Sequence, residues 1–392
     1  MTLSLLRWTT LMSVALVSCT LPEKPEGSLS TPIEIQYKIP PELEPKVNLI
    51  NELVESKIKS GTFNGVVLVA EYGNVLYIKA NGYANFKTKE ILNEHSVFQL
   101  ASVSKMFTAA AVVILKEKGL LNYDDLVIKY LPLFPYEDIT IRQLLQHRSG
   151  LPRYMVTSDL FWPRDTPMSN EDLYYLMAEQ CPPRYFSADR KFNYQNSNYA
   201  YLAYLVEVVS KQPFERFVKQ NIFEPLGMWN SFVYSINGET DIPGMVAGHI
   251  YRRPQPLNPA TNYINGVVGD KGIYSNVHDL LKFDQALYTE TLISQNSIAE
   301  AFTPGKRNPY TKRDDYGFGW RISTFNKDRL VYHYGWWNGF KSAFFRFLDK
   351  RRTVIVLTNR DRTLSLPKEI QEILYSDASE NQSAVDYFST NQ

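Results

Sequence analysis

Two stretches near opposite ends of the chain carry the strongest strand patterning. They are "GVVLVAEYGNVLYIKANGYAN", from Gly65 to Asn85, and "SAFFRFLDKRRTVIVLTNRD", from Ser342 to Asp361. Each consists of two runs rich in β-branched and aromatic residues separated by a short polar turn, Tyr72-Gly73-Asn74 in the first and a charged cluster in the second, which is a hairpin signature. A hairpin pairs its strands antiparallel. One antiparallel sheet that gathers both chain ends therefore dominates the expected fold. Val47, Ile50, Val54 and Ile58 fall on one helical face before the first hairpin, and an amphipathic helix over Lys368 to Tyr375 follows the second. The middle of the chain, about 96–260, has helical periodicity and long loops. The class is α+β, an antiparallel sheet flanked by helices with an inserted, mainly helical lobe. The reading places the domain at 46–376, with its sheet lobe at about 46–95 and 261–376 and its helical lobe at about 96–260.

With 392 residues, 44% of them hydrophobic, the chain can bury a large core. Its 42 basic and 41 acidic residues leave a net charge of +1, and no dense Lys/Arg run is present, so nucleic acid is excluded as the expected partner. The opening "MTLSLLRWTTLMSVALVSC" has one positive charge, a short apolar core and small residues at its end, the pattern of a signal peptide over 1–18. Leu16-Val17-Ser18-Cys19 resembles a bacterial lipobox, which makes Cys19 the expected lipidation site and the bacterial cell envelope, anchored to a membrane and facing the periplasm or exterior, the expected location. Residues 19–45, rich in Pro, Glu and Ser, read as a tether, and 377–392 as a polar tail. With Cys19 acylated, only Cys181 remains and no internal disulfide can form.

Ser-x-x-Lys occurs three times, at Ser56/Lys59, Ser102/Lys105 and Ser365/Lys368. The first pair projects from the polar side of a surface helix, and Ser365 reads as the N-cap of the final helix. Ser102 differs. The residues behind it, Met106, Phe107, Ala109, Ala110, Val112, Val113 and Ile114, are apolar all round and predict a buried helix. Lys105 therefore stands beside Ser102 at the mouth of a buried helix, where burial lowers a lysine pKa from its usual value of about 10.4 and lets the amine accept the serine proton. Two further clusters accompany the pair. "FNYQNSNYAYLAYLVEVV" puts Tyr194 and Asn196 ahead of another apolar helix, and "VYHYGWWNGFKSAFF" puts His333 and Gly335 on or beside a strand.

Taken with "ITIRQLLQHRSGLPRY", "GVVGDKGIYSNVHDLLKFDQAL" and "YGFGWRI", these motifs resemble the serine β-lactamase and penicillin-binding protein superfamily over about Phe63 to Asn359. The likeness is to the branch near class C β-lactamases, D-alanyl-D-alanine carboxypeptidases and related esterases. Tyr72-x-Asn74 and Lys59-Ser60-Gly61 also fit the family's second and third motifs but precede the nucleophile, the wrong order. The resemblance implies Ser102 as nucleophile, Lys105 as proton acceptor and Tyr194 as a second acid/base tuned by that lysine. It implies that Asn196 orients Lys105 and binds substrate, that His333 stands in place of the family's motif lysine, and that the backbone N–H groups of Ser102 and of Trp336, after Gly335, form the oxyanion hole. An acyl-enzyme cycle of this kind needs no cofactor. His333 with bulky Tyr334, Trp336 and Trp337 departs from the family pattern and moves the expectation toward an esterase or D-peptidase and away from an efficient β-lactamase. A charged His333 would favour anionic substrates below its usual pKa of about 6.5. The alternative is a slowly acylating or non-catalytic binder of cell-wall peptide. His95, His147, His249 and His278 have no metal-ligand spacing and are read as structural or solvent-facing, so no metal is expected.

Overall fold

The structure, a computed structural model, describes residues 35–236, 242–250, 255–257, 262–305, 315–360 and 365–376. The signal peptide, Cys19, most of the tether and the polar tail lie outside the described residues. Eight strands build the main sheet: β1 (Gln36–Tyr37), β2 (Gly65–Glu71), β3 (Asn74–Asn81), β4 (Asp315–Tyr316), β5 (Arg321–Phe325), β6 (Asp328–Trp337), β7 (Phe340–Phe347) and β8 (Arg352–Thr358). Their order is β1-β3-β2-β8-β7-β6-β5-β4. Every pairing is antiparallel except β1 with β3. The two hairpins meet where β2 pairs with β8, so the chain ends close a single sheet as the patterning required. The sheet also takes in Gln36 and Tyr37, which lie within the segment expected to be tether.

Local chemistry explains the main strands. Tyr72 and Gly73 both have positive φ, 50° and 78°, the two-residue turn whose twist matches that of the strands it joins. A Cβ at Gly73 would also approach Gln285 to 2.8 Å. Along β2 the side chains alternate between two cores. Val66, Leu68 and Ala70 enter one, while Val67 and Val69 enter the other.

The helices are α1 (Glu44–Lys59), α2 (Ser104–Glu117), α3 (Ile141–Leu145), α4 (Tyr154–Phe161), α5 (Asn170–Gln180), α6 (Asn196–Ser210), α7 (Phe214–Val218), α8 (Val277–Ala286), α9 (Gln295–Ala301) and α10 (Leu366–Tyr375). Helices α1 and α10 cover one sheet face, with Ile50, Val54, Ile370 and Leu374 packed on Val67, Val69 and Phe345. Lys57 joins them through Glu369 at 2.9 Å. Ser365 holds the N-cap position of α10, yet its hydroxyl makes no capping bond. The larger core lies on the other face and contains α2, whose residues Ser104 to Leu115 are all buried, and α6. No helix among the described residues is long and apolar enough to cross a membrane.

Beneath the sheet, Arg346 of β7 and Asp284 of α8 form a fully buried ion pair. Thr353 donates to the same carboxylate at 2.8 Å and Gln285 at 2.6 Å. The guanidinium carbon lies 4.6 Å from the Tyr288 ring centroid and 5.5 Å from that of Trp320. The pair joins helix to sheet, with Arg346 Nη1 buried and without a hydrogen-bond partner among the described residues.

Candidate active site

Ser102 sits in a single 3-10 turn, Ala101–Val103, that leads straight into α2. Ala101 is held at φ 49°, a sparsely populated conformation for a residue with a Cβ, and its immediate position before the serine marks a turn that the surrounding packing over-determines. One brace is Ser342, whose hydroxyl donates to the Leu100 carbonyl at 2.6 Å. Another is Gly335 of β6: a Cβ there would lie 2.2 Å from both the Leu100 carbonyl oxygen and Ser342 Oγ. The strand therefore presses its backbone against the turn that carries Ser102, the close approach that glycine permits.

Lys105, one turn further along, is fully buried. Its Nζ lies 3.0 Å from Ser102 Oγ and 3.0 Å from Asn196 Oδ1, and it donates to the Asp270 carbonyl oxygen at 2.6 Å. Burial lowers its pKa to about 7, assisted by the positive charge of Arg321 and opposed by Asp270. The amine is thus half-neutral near pH 7 and already touches the hydroxyl whose proton it would take.

Tyr194 and Asn196 flank the start of α6, next to Gln195 at its N-cap, so that one helix mouth delivers both to the Ser102–Lys105 pair. The Tyr194 ring lies 5.0 Å from Lys105 Nζ and 5.4 Å from the Arg321 guanidinium carbon. Its hydroxyl is buried and makes no hydrogen bond within normal geometry, although Ser102 and Arg321 both favour its ionised form. Burial outweighs them and raises the phenol above its usual pKa. Tuning by the lysine toward phenolate is therefore not what the surroundings produce. Tyr194 remains a phenol across the physiological range.

His333 departs further from expectation. It is only 1% exposed. Its Nδ1 is 2.6 Å from the Tyr334 carbonyl oxygen, which can only accept, so the proton is on Nδ1 and Nε2 accepts from the Tyr316 hydroxyl at 3.1 Å. Burial, Arg321 and Lys105 together hold its pKa well below the ordinary value. Both nitrogens are committed to protein partners and the ring is neutral between pH 6 and 8. The expected imidazolium contact with an anionic substrate is corrected accordingly: the fixed positive charge beside the site is Arg321, half-buried at the start of β5. Arg321 lies inside the "YGFGWRI" segment of the sequence, where no role was read for it.

Strand alternation decides the rest of β6. His333, Gly335 and Trp337 share the face that meets the Ser102 turn, whereas Tyr334 packs in the opposite core and Trp336 is 68% exposed. The inward indole is that of Trp337, whose Nε1 donates to Asn265 Oδ1 at 2.8 Å. The Trp336 side chain does not line this cleft, and only its backbone remains available to the proposed oxyanion site. The period of two was legible in the sequence and identifies Trp337 once Gly335 is placed.

Two networks outside the sequence reading support the center. Lys271 donates to the Tyr154 hydroxyl at 2.8 Å and lies 3.3 Å from Asp270 Oδ1, holding the residue whose carbonyl anchors Lys105. His147, expected to be structural, is buried with its ring centroid 4.3 Å from that of Tyr194. Its Nδ1 accepts from the Gln195 backbone N–H at 3.2 Å, which ties the Tyr194 loop to the segment that follows α3. His249 is also buried, while His95 and His278 stack at 5.0 Å beside Glu94.

A helix-flanked antiparallel sheet with a serine and a buried lysine at the mouth of the central helix defines the β-lactamase and penicillin-binding protein fold. The family described as Beta-lactamase matches residues 50–375, and the chain belongs to that family. It is 37% identical over 324 residues to Penicillin-binding protein 4* of Bacillus subtilis strain 168, covering 80% of this chain and 71% of that protein. Among solved structures it resembles the octameric penicillin-binding protein homologue from Pyrococcus abyssi, with a TM-score of 0.73 at 25% identity over 85% of this chain and 78% of that one. The D-amino acid amidase from Ochrobactrum anthropi SV3, complexed with L-phenylalanine amide, shares the fold with a TM-score of 0.70 at 20% identity, covering 88% of this chain and 100% of that one.

Proposed function

We propose that the protein is a serine hydrolase that forms an acyl-enzyme on Ser102 and acts on an ester or amide such as a D-amino-acid peptide, a carboxylic ester or a β-lactam. The observation that carries the reading is the contact of Lys105 Nζ with Ser102 Oγ at 3.0 Å, made by an amine whose pKa is lowered to about 7. In the proposed cycle, neutral Lys105 takes the hydroxyl proton as Ser102 Oγ attacks the substrate carbonyl, and the backbone N–H groups of Ser102 and Trp336 receive the oxyanion. As the carbonyl re-forms and the bond to the leaving group breaks, Tyr194 gives its proton to that group and is reprotonated by the Lys105 ammonium; water then cleaves the acyl–Ser102 ester, its proton passing back to Ser102 Oγ through Lys105. Asn196 holds Lys105 through Oδ1 and offers its amide N–H to the substrate. Arg321 adds to the burial that lowers the Lys105 pKa and is the cation that a substrate carboxylate would meet. No cofactor enters the scheme. The alternative, a non-catalytic or slowly acylating binder, differs in a slow or absent acylation and in never turning over, so acylation and turnover must be read separately.

The test pairs labelling by a fluorescent penicillin or a serine-directed phosphonate with turnover on a panel of esters, D-amino-acid peptides and β-lactams. Labelling is expected on the peptide containing Ser102 and is expected to vanish in Ser102→Ala. Equal labelling of the variant excludes this nucleophile, and labelling without turnover of any panel member favours the binder. We further propose that Cys19 is acylated and anchors the domain to a bacterial envelope membrane. Mass spectrometry of the mature N-terminus should find a lipid-modified cysteine, whereas retained, unmodified residues 1–18 would refute the anchor.

A further inference from the structure

Sequence spacing gave no reason to join His95 to His278, but the fold does. Ser275 pairs with Phe98 and Tyr274 with Gln99, which brings the segment before the nucleophile alongside the segment entering α8. Glu94 and His95 precede the short strand Phe98–Gln99, and His278 lies in the first turn of α8. His95 Nε2 is 3.6 Å from Glu94 Oε1, and His278 Nε2 is 3.8 Å from Glu94 Oε2. One ligand atom from each of the three residues lies within 4.8 Å of the other two.

These separations are longer than hydrogen bonds, and they fall near the donor spacing of about 3.3 Å that a tetrahedral ion with bonds of about 2.0–2.1 Å imposes. His278 is 8% exposed, and its buried Nε2 has no hydrogen-bond partner among the described residues. An unsatisfied imidazole nitrogen in such a place is costly unless something accepts its lone pair or its proton. His95 is largely exposed and free to turn about its side-chain bonds to complete the approach.

We propose that Glu94, His95 and His278 form a binding site for a divalent transition-metal ion of the zinc class, with water in the remaining position. Two imidazoles and a carboxylate are borderline donors suited to zinc and unsuited to magnesium or calcium, which take oxygen ligands. The ion would tie together the two segments that carry the reaction center, since one runs on to Ser102 and the other comes from Asp270, the carbonyl anchor of Lys105. Its expected role is to hold these strands in register.

Equilibrium dialysis of the full chain against Zn²⁺, with the retained metal quantified, should find one ion bound at micromolar concentration or tighter. Co²⁺ in its place should give the visible absorption of a four-coordinate ion. His95→Ala and Glu94→Gln alter exposed or half-exposed side chains and should each weaken binding at least tenfold while the apo protein melts as wild type. His278→Ala should abolish binding. Zinc should raise the melting temperature of wild type and leave that of His95→Ala unchanged. Ser102→Ala should bind the ion as wild type does, which separates this site from the catalytic cleft. Absence of a retained ion, wild-type affinity in His95→Ala and Glu94→Gln, or loss of binding in Ser102→Ala would each overturn the assignment.

Discussion

At the scale of single residues, the Ser102–Lys105 pair makes a claim about pH. Because Lys105 must be neutral to accept a proton and its pKa is about 7, kcat/KM should rise from acid pH through about 7 and then level off. Tyr194 is raised above its usual pKa, so its ionisation should cause no loss below about pH 10. Arg321 lowers the Lys105 pKa, and Arg321→Gln should therefore move the rising limb to higher pH, measured with a neutral ester so that substrate charge does not intrude. An unmoved limb would mean that burial alone sets the lysine. His333 should leave no such limb of its own, being neutral and bonded at both nitrogens.

At the scale of the element, β6 is the strand on which the site depends, and Gly335 is its least replaceable residue. Gly335→Ala must displace either the Leu100 carbonyl or the Ser342 hydroxyl, both 2.2 Å from the new methyl group. Overpacking of this kind costs about 1–3 kcal/mol. The displaced atoms belong to the turn carrying Ser102, so the acylation rate should fall together with the melting temperature. Unimpaired labelling by a serine-directed probe would show that β6 can retreat from the turn without moving the nucleophile.

At the scale of the whole molecule, the Arg346–Asp284 pair joins α8 to the sheet at β7 and β8 with no exposure on either side chain. Asp284→Ala would leave a guanidinium buried without its counter-charge, a change worth about 3–5 kcal/mol. Chemical denaturation should show the midpoint falling by a corresponding amount, and a loss under about 1 kcal/mol would indicate that water reaches Arg346 in the variant. Across the same scale the sequence was read well where its signal was local. Period-two runs defined the hairpins and the antiparallel sheet, the all-round apolar segment after Ser102 gave a buried helix, and that burial gave the depressed lysine. The chain's own order of residues therefore determined the fold class, the Ser102–Lys105 pair and the arrival of Tyr194 and Asn196 at a helix mouth, because each follows from neighbours within a turn or a strand. Only the tertiary structure decided that His333 is bonded on both sides and uncharged, that Arg321 supplies the nearby charge, that Trp337 and not Trp336 turns inward, and that Glu94, His95 and His278 meet. Burial and electrostatic coupling depend on which distant segments pack together, and no local spacing encodes them.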